Sequence, residues 1–318
     1  MQSYIGKLYL AGAFILAGSS VIAARVLSGK LGIFTITSSS LVLSLLVLLP
    51  FCGYRLKSNL EKMAIVDWKI IFLQALCGMF LFRMFLLTGL KYTSAGEAGI
   101  LTGASPALTA LMARFWLSEP LYKNRIMGVV STVSGILLIQ TAVGQGNGFT
   151  KEHFIGNMLV LSAALCESLF NVISRRANLK METQQLQKLD PIVQSILVSA
   201  IAGLLCLWPA ALEYPLESLL SLGLIEWLAL LWYGLMVTAL GYIFWYAGIK
   251  RCDASIAAAF SGLMPFTSLL VSIALLGEQP GWQSCLGGFM IVLGMLMTGW
   301  KVFPHLQIIS SSKTLNNR

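Results

Sequence analysis

The chain has 318 residues, of which 57% are hydrophobic and only 11% are charged. Soluble globular domains average roughly 25% charged residues, so this composition excludes an ordinary water-soluble fold. The formal net charge of +9 indicates basic cytoplasmic loops of a membrane protein before it indicates a nucleic-acid partner. The six cysteines lie singly without CxxC spacing, so neither a disulfide framework nor a zinc site is predicted.

Ten apolar runs follow one another along the chain, and each is long enough to cross a bilayer, which takes about 20 helical residues. The first five lie at 8–26, 33–51, 68–90, 93–117 and 126–142. The second five lie at 154–173, 192–212, 225–249, 254–276 and 285–302. The sequence therefore predicts an all-α polytopic membrane protein with ten transmembrane helices. The first run is expected to remain as a helix rather than act as a signal peptide, because the repeat described below requires it.

The basic residues of the loops favour one orientation. If the N-terminus is cytoplasmic, 16 basic residues fall on the cytoplasmic side, and only Arg25, Lys30, Lys91 and Lys151 fall on the outer side. Lys and Arg concentrate in cytoplasmic loops of membrane proteins. Both termini are therefore expected to face the cytoplasm.

An internal repeat relates the two halves of the chain. A shift of 159 residues superposes identical residues of two apolar helices, placing Gly89, Lys91, Ala95, Ala98, Gly103 and Pro106 on Gly248, Lys250, Ala254, Ala257, Gly262 and Pro265. The same shift carries Glu119 onto Glu278, and both are expected to be helix-end carboxylates in interfacial water. Five helices per repeat is an odd number, so the second copy enters the membrane from the opposite side. This predicts two inverted five-helix repeats at 1–145 and 146–302, with a cytoplasmic tail at 303–318.

Two segments, KYTSAGEAGILTGASPALTALMARFWLSEP from residue 91 and KRCDASIAAAFSGLMPFTSLLVSIALLGEQP from residue 250, resemble the fourth and ninth helices of the drug/metabolite transporter superfamily. The resemblance is to its ten-helix EamA-type branch and covers essentially the whole chain. It implies two five-helix bundles around a central cavity, and export of small metabolites across a bacterial inner membrane by alternating access. Many members begin the second helix with an arginine, whereas this chain reads FTITSSS at 34–40, so no role of that arginine is carried over.

Two prolines lie inside apolar helices at equivalent places in the repeats, Pro106 and Pro265. Proline removes an intrahelical hydrogen bond and kinks a helix, although membrane helices also tolerate it without a functional reason. The match between the repeats favours a shared kink beside the cavity over direct contact with a ligand.

Two ionisable residues lie deep in apolar helices, where a charge costs about 2.5 to 3.5 kcal/mol. Arg83 lies about 12 Å before Lys91 along its helix, and Glu167 lies about 12 Å before Arg175. We expect both to belong to a substrate-binding or coupling site. Glu97 lies only a turn inside its helix, so a wetted cavity mouth and a binding role both stay open.

Polar and aromatic residues near these charges complete the predicted site. Asn171 and Ser174 follow Glu167 at i+4 and i+7, which indicates one polar stripe on an apolar helix. Tyr242 and Trp245 offer aromatic surfaces with polar groups, and the repeat shift matches Tyr242 to Arg83. Ordinary packing is the alternative for the aromatic residues. Glu167 is expected to carry a coupling proton or to pair with a cationic group of the substrate, unless Arg83 neutralises it as a fixed ion pair.

The motifs argue against an enzyme. The only histidines are His153 and His305, and HExxH, GxSxG and P-loop motifs are absent from the sequence. The sequence therefore predicts a secondary active transporter in the lipid bilayer, without cofactor or metal, that exports small metabolites such as amino acids or amines. Protons are the candidate coupling ions, and no nucleic-acid partner is expected. The alternative is a non-transporting sensor or an intramembrane enzyme with a buried carboxylate, and the inverted repeat favours transport over it.

Overall fold

A computed structural model describes residues 2–60, 63, 65–116, 122–142, 151–183, 190–252 and 260–299. Every regular element in these ranges is helical. A backbone that crosses a bilayer has no water to bond with, and a helix satisfies its N–H and C=O groups internally.

Ten helices, which we number α1 to α10, are present in the described ranges. Those of the first half are α1 (Gln2–Ser28), α2 (Ile33–Leu60), α3 (Ile65–Ala75, Leu76–Leu81 and Phe82–Gly89), α4 (Ala95–Thr102 and Ser105–Trp116) and α5 (Lys123–Ala142). Those of the second half are α6 (Lys151–Thr183), α7 (Pro191–Ala211), α8 (Leu224–Leu231, Trp232–Gly241 and Tyr242–Ile249), α9 (Leu263–Leu276) and α10 (Trp282–Gly299). A short helix, Pro215–Leu220, lies between α7 and α8.

The lengths and compositions of these helices agree with a membrane fold. Within α1, α2, α3, α6, α7 and α8 lie stretches that are long and apolar enough to cross a membrane. α9 and α10 are also apolar but shorter over the described residues. The predicted all-α polytopic membrane protein is confirmed.

The helices differ from the predicted runs in two ways. α2 and α6 continue beyond their apolar runs, because helical hydrogen bonds are internal and do not end where the side chains become polar. α4 is interrupted at Gly103 and Ala104, just before Pro106, whose missing N–H cannot continue the hydrogen-bond ladder. The predicted residues 254–259 of the ninth helix, 300–302 of the tenth and the tail at 303–318 lie outside the described residues.

The crossing of α5 and α10 relates the halves directly. A Cβ atom on Gly128 would lie 2.6 Å from the carbonyl oxygen of Gly294, and one on Gly135 would lie 2.5 Å from that of Gly287. The residue number rises along one helix while it falls along the other, so the two helices are antiparallel. The repeat shift exchanges the two pairs, since it carries Gly128 to Gly287 and Gly135 to Gly294. Small residues allow this backbone contact, which is how membrane helices pack closely.

The remaining packing has the same symmetry. α1 packs on α8 and α9, and its counterpart α6 packs on α3 and α4. α2 packs on its own counterpart α7. Both α2 and α7 contain an internal proline, Pro50 and Pro209 respectively, and the two positions are one repeat shift apart. The two five-helix repeats are thus interleaved around a common core rather than placed side by side.

Candidate functional site

A cavity lies between the two halves, where α1 and α3 meet α6, α8 and α9. Its volume is about 110 Å³, which is room for several water molecules. The lining side chains are mainly apolar or aromatic, with a few polar groups among them. They are Ala13, Phe14, Ala17, Ser20, Gly78, Phe82, Arg83, Glu167, Phe170, Asn171, Tyr233, Val237, Gly241, Tyr242, Trp245 and Met264.

All five residues predicted to bind substrate or to couple transport line this one cavity: Arg83, Glu167, Asn171, Tyr242 and Trp245. They come from three helices, α3, α6 and α8, so the folded bundle brings together residues from both repeats. Their functional role stays a prediction. It requires that the five residues lie at one site, and they do.

Arg83 is held by partners from two other helices. Its side chain is buried, and its terminal nitrogens donate to the hydroxyls of Ser40 at 2.7 Å and Thr238 at 2.6 Å. The guanidinium also lies 4.7 Å from the ring centre of Tyr233, a cation–π distance. The cation is therefore stabilised by neutral groups of α2 and α8.

Glu167 does not form the ion pair with Arg83 that was the alternative to a coupling role. Arg83 and Glu167, both within the described residues, form no ion pair within 4.0 Å. The Oε2 atom of Glu167 is buried and has no hydrogen-bond partner among the described residues. The fixed ion pair is thus not formed, because the hydroxyls of α2 and α8 hold the guanidinium instead.

Aromatic rings from several helices line the cavity. The ring of Trp245 meets that of Phe14 edge to face, with centres 5.5 Å apart. Phe82 and Phe170 also line the cavity. The indole Nε1 of Trp245 is buried without a hydrogen-bond partner in the described part of the chain. A buried donor and a buried acceptor are thus both left unsatisfied at this cavity, and such groups usually mark a place that water or a ligand fills.

Two π-helical segments flank the cavity at equivalent places in the repeats. They are Leu76–Leu81 in α3 and Trp232–Gly241 in α8, and the shift of 159 residues places the first inside the second. π-helical turns are rare in proteins overall, and those that do occur are often found at functional sites. Arg83 of α3 binds Thr238 in the second segment, and its counterpart Tyr242 donates to the carbonyl oxygen of Gly78 in the first at 3.1 Å. Each segment therefore receives a side chain from the opposite half.

Neither of the two prolines predicted to kink a helix beside the cavity is among the residues that line it. Pro265 follows the cavity residue Met264 near the start of α9. Pro106 follows Ser105, whose carbonyl oxygen accepts a hydrogen bond from Ser168 at 2.9 Å. This agrees with a structural role of the prolines more than with ligand contact.

The predicted polar stripe of α6 divides between two environments. Asn171 lines the cavity, whereas Ser174 accepts a hydrogen bond from Gln74 at 2.9 Å. Gln194 donates in turn to Gln74 at 3.0 Å, which joins α3, α6 and α7. Ser174 therefore belongs to a packing contact rather than to the cavity.

A carboxylate from the second half binds the start of a helix of the first half at one end of the bundle. Glu278, just after α9, accepts hydrogen bonds from the backbone N–H groups of Ala95 and Gly96 at 2.9 and 2.8 Å. These N–H groups open α4, and a helix N-terminus carries a partial positive charge that favours an anion. The expected carboxylate in interfacial water is replaced here by a contact between the halves. Its repeat counterpart Glu119 lies outside the described residues.

Glu213 makes the same kind of contact at the same end. It follows α7 and accepts from the backbone N–H groups of Phe34 and Thr35, at 3.2 and 2.7 Å, at the start of α2. A Cβ atom on Gly32 would collide with this carboxylate, so the glycine leaves room for it. Two helices of the first half therefore begin on carboxylates of the second.

Glu97 is bound by protein groups from two other helices and from the loop that precedes α4. Its carboxylate contacts His153 of α6 at 2.8 Å, accepts from Ser284 of α10 at 3.1 Å, and accepts from Thr93 at 3.2 Å. Of the two roles left open for Glu97, neither is needed to explain its position, since these contacts tie helices together at the same end as Glu278.

Ser40 and Thr238, the partners of Arg83, were not predicted from the sequence, and neither were the aromatic residues Phe14 and Phe82. The five hydroxyl residues among positions 35–40 were a usable signal for Ser40, because so many polar residues close together are unusual inside an apolar helix. No comparable pattern singles out Thr238 or the phenylalanines.

Comparisons with known proteins agree with this architecture. The pattern of the EamA-like transporter family matches residues 4–141 and again residues 154–300. The uncharacterized transporter YetK of Bacillus subtilis is 26% identical over 94% of this chain and 87% of its own length. The aromatic amino acid exporter YddG of Ancylobacter novellus is 23% identical over 72% of this chain and 74% of its own.

A solved crystal structure shares the fold. It superposes with a TM-score of 0.57, at 21% sequence identity, over 92% of this chain and 95% of the other. The family match occurs twice and spans most of the chain. The chain belongs to the EamA-like transporter family, and it is a membrane transporter.

Proposed function

We propose that the protein is a secondary active transporter that exports small zwitterionic metabolites, foremost amino acids, by alternating access. The observation that carries the proposal is the cavity between the inverted repeats, which holds a buried guanidinium and a carboxyl group that do not pair with each other. Two inverted halves that enclose a central site are the architecture that lets one half rock against the other.

The charges of the cavity suit an amino acid. In this proposal Arg83 binds the substrate carboxylate, and Glu167 with Asn171 binds the ammonium group. The rings of Phe14 and Trp245 contact an apolar side chain. A relative named as an aromatic amino acid exporter supports this substrate class.

Glu167 is also the proposed coupling group. Its Oε2 atom has no partner among the described residues, so a proton or a substrate cation can occupy that position without displacing a protein contact. Protons are the proposed coupling ions, and the driving force is a gradient rather than nucleotide hydrolysis.

Purified protein in liposomes tests the proposal. We expect it to move amino acids without ATP, and to concentrate them against their gradient when a proton gradient is imposed. Protein-free liposomes and liposomes with a collapsed proton gradient are the controls. Strict dependence on ATP, or no flux for any of the twenty amino acids or their amines, would overturn the proposal.

We further propose that the protein lies in the cytoplasmic membrane with both termini inside, that the repeats occupy 1–145 and 146–302, and that 303–318 is a cytoplasmic tail. The 16 to 4 distribution of basic residues supports the orientation. A phosphatase fused after Arg318 should be inactive and a fluorescent protein fused there should be bright. An active phosphatase would reverse the orientation.

A further inference from the structure

The two hydroxyls that hold Arg83 can only accept hydrogen bonds from it. A hydroxyl has one proton to donate. Ser40 donates its proton to the carbonyl oxygen of Thr37 at 2.8 Å, and Thr238 donates its proton to that of Tyr233 at 2.7 Å. Their oxygen lone pairs are then directed to the guanidinium. Both hydroxyl side chains are fully buried, so water does not compete for them.

The π-helical segment of α8 explains the second of these contacts. The side-chain hydroxyl of Thr238 donates to the carbonyl oxygen of Tyr233, five residues earlier, within a segment whose backbone is π-helical. The same segment contributes Tyr233, whose ring lies against the guanidinium. One irregular turn therefore supplies an acceptor, the group that orients that acceptor, and an aromatic surface.

This arrangement leaves part of the guanidinium free. Arg83 has five N–H groups, and two bonds to protein groups are made within the described residues. It also lines the cavity, whereas Ser40 and Thr238 do not. An arginine fork with free N–H groups matches a carboxylate in a bidentate geometry.

We propose that Ser40 and Thr238 are positioning residues, which orient Arg83 so that its free N–H groups meet the carboxylate of an amino acid in the cavity. This inference rests on the proposed function. It predicts that the two hydroxyls determine selectivity for substrates that carry a carboxylate, without touching the substrate themselves.

Matched variants and matched ligands test the inference. Thr238→Val replaces the hydroxyl by a methyl group of similar size, Thr238→Ser keeps the hydroxyl, and Ser40→Ala removes the other acceptor. The probes are L-phenylalanine and 2-phenylethylamine, which differ only in the carboxyl group. Their binding to the purified full-length protein is measured by titration calorimetry, and the fold of each variant by its elution profile.

We expect Thr238→Val and Ser40→Ala to weaken binding of L-phenylalanine by about tenfold or more, since hydrogen bonds to charged groups contribute on that order. Binding of 2-phenylethylamine should change by less than about twofold, because this ligand has no carboxylate for Arg83 to bind. Thr238→Ser should resemble the wild type. A merely structural role would weaken both ligands alike. If Thr238→Val does not fold, Ser40→Ala gives the same comparison.

The inference is overturned if both hydroxyl variants bind L-phenylalanine as the wild type does, or if they lose both ligands equally. It is also overturned if the wild-type protein does not bind L-phenylalanine. Glu167→Gln separates it from the proposed function, because that variant should weaken both ligands. Loss of binding in Glu167→Gln together with unchanged hydroxyl variants would leave the proposed function standing and remove only the positioning role.

Discussion

Glu167 is the residue on which coupling depends in the proposed transporter. It forms no ion pair with Arg83, so neutralising it does not leave a buried cation without its counterion. We therefore expect Glu167→Gln to fold with a stability within about 1 kcal/mol of the wild type. It should abolish uphill transport, for which a proton carrier is needed. Downhill exchange needs no proton carrier, so it should persist at substrate concentrations high enough to offset the weaker binding of the ammonium group.

Uphill uptake and counterflow in liposomes, with melting in detergent, check this expectation. Glu152→Gln is the matched control, since Glu152 lies exposed in the first turn of the same helix. Glu167→Gln that concentrates substrate as well as the control does would rule out coupling through Glu167. A strong loss of stability confined to Glu167→Gln would restore a structural role.

The charged residues of the site could be predicted from the sequence, and their partners could not. Arg83 and Glu167 stand out because a charge inside an apolar run is costly and needs an explanation. A single threonine such as Thr238 does not stand out, since serine and threonine in membrane helices commonly bond to their own backbone, and the hydroxyl run that contains Ser40 does not show which residue it binds. The missing ion pair depends on the packing of α2 and α8 against α3, which no local pattern shows.

Among the helices, the crossing of α5 and α10 is the contact most sensitive to added volume. A Cβ atom on Gly128 would lie 2.6 Å from the carbonyl oxygen of Gly294, which backbone atoms cannot tolerate without moving apart. We expect Gly128→Ala to lower the free energy of unfolding by about 1–3 kcal/mol, the usual cost of overpacking.

Gly53→Ala is the control for this substitution, because a Cβ atom at Gly53 in α2 meets no atom within 4 Å. It should be neutral or stabilise the helix by up to about 1 kcal/mol, since alanine has the higher helix propensity. Thermal melting of both variants in detergent gives the comparison. Equal melting temperatures of the two variants would show that α5 and α10 can move apart without loss of stability.

The contact of Glu278 with the start of α4 should also contribute to stability. Glu278→Gln removes the negative charge that faces two N–H groups of a helix N-terminus, while it keeps the size of the side chain. We expect a loss of about 1–2 kcal/mol. Glu217→Gln, at an exposed position of the short helix Pro215–Leu220, should change stability by less than about 0.5 kcal/mol.

The two melting curves, recorded at low and high salt, decide this prediction. The contact is partly buried, so the difference between the variants should persist at high salt, where exposed charges are screened. A difference that vanishes at high salt would assign the effect to general surface electrostatics rather than to the helix N-terminus.

Positions and lengths of most helices followed from the apolar runs, whereas their irregularities did not. Pro106 indicated the break in α4, because proline cannot continue the hydrogen-bond ladder. The π-helical segments of α3 and α8 have no such marker, because neither contains a proline.

For the molecule as a whole, the repeat shift predicted which helices are counterparts, and the structure adds how they interlock. Glu278 contacts Ala95, 183 residues away, and a contact of that separation leaves no trace in local sequence. Glu213 and Glu97 join helices at the same end of the bundle. If the halves rock in the proposed alternating access, these contacts have to break when this end opens.

The glycine crossing has a bearing on ancestry. Each half contributes one glycine to each of the two pairs, Gly128 with Gly294 and Gly135 with Gly287, so two copies of a single half inserted in opposite directions would make the same crossing. If the halves arose by duplication and fusion of one gene, this interface between them does not require that they be joined in one chain. Fragments 1–145 and 146–318, expressed from separate genes, should therefore copurify and transport, whereas a first fragment carrying Gly128→Val should not capture its partner.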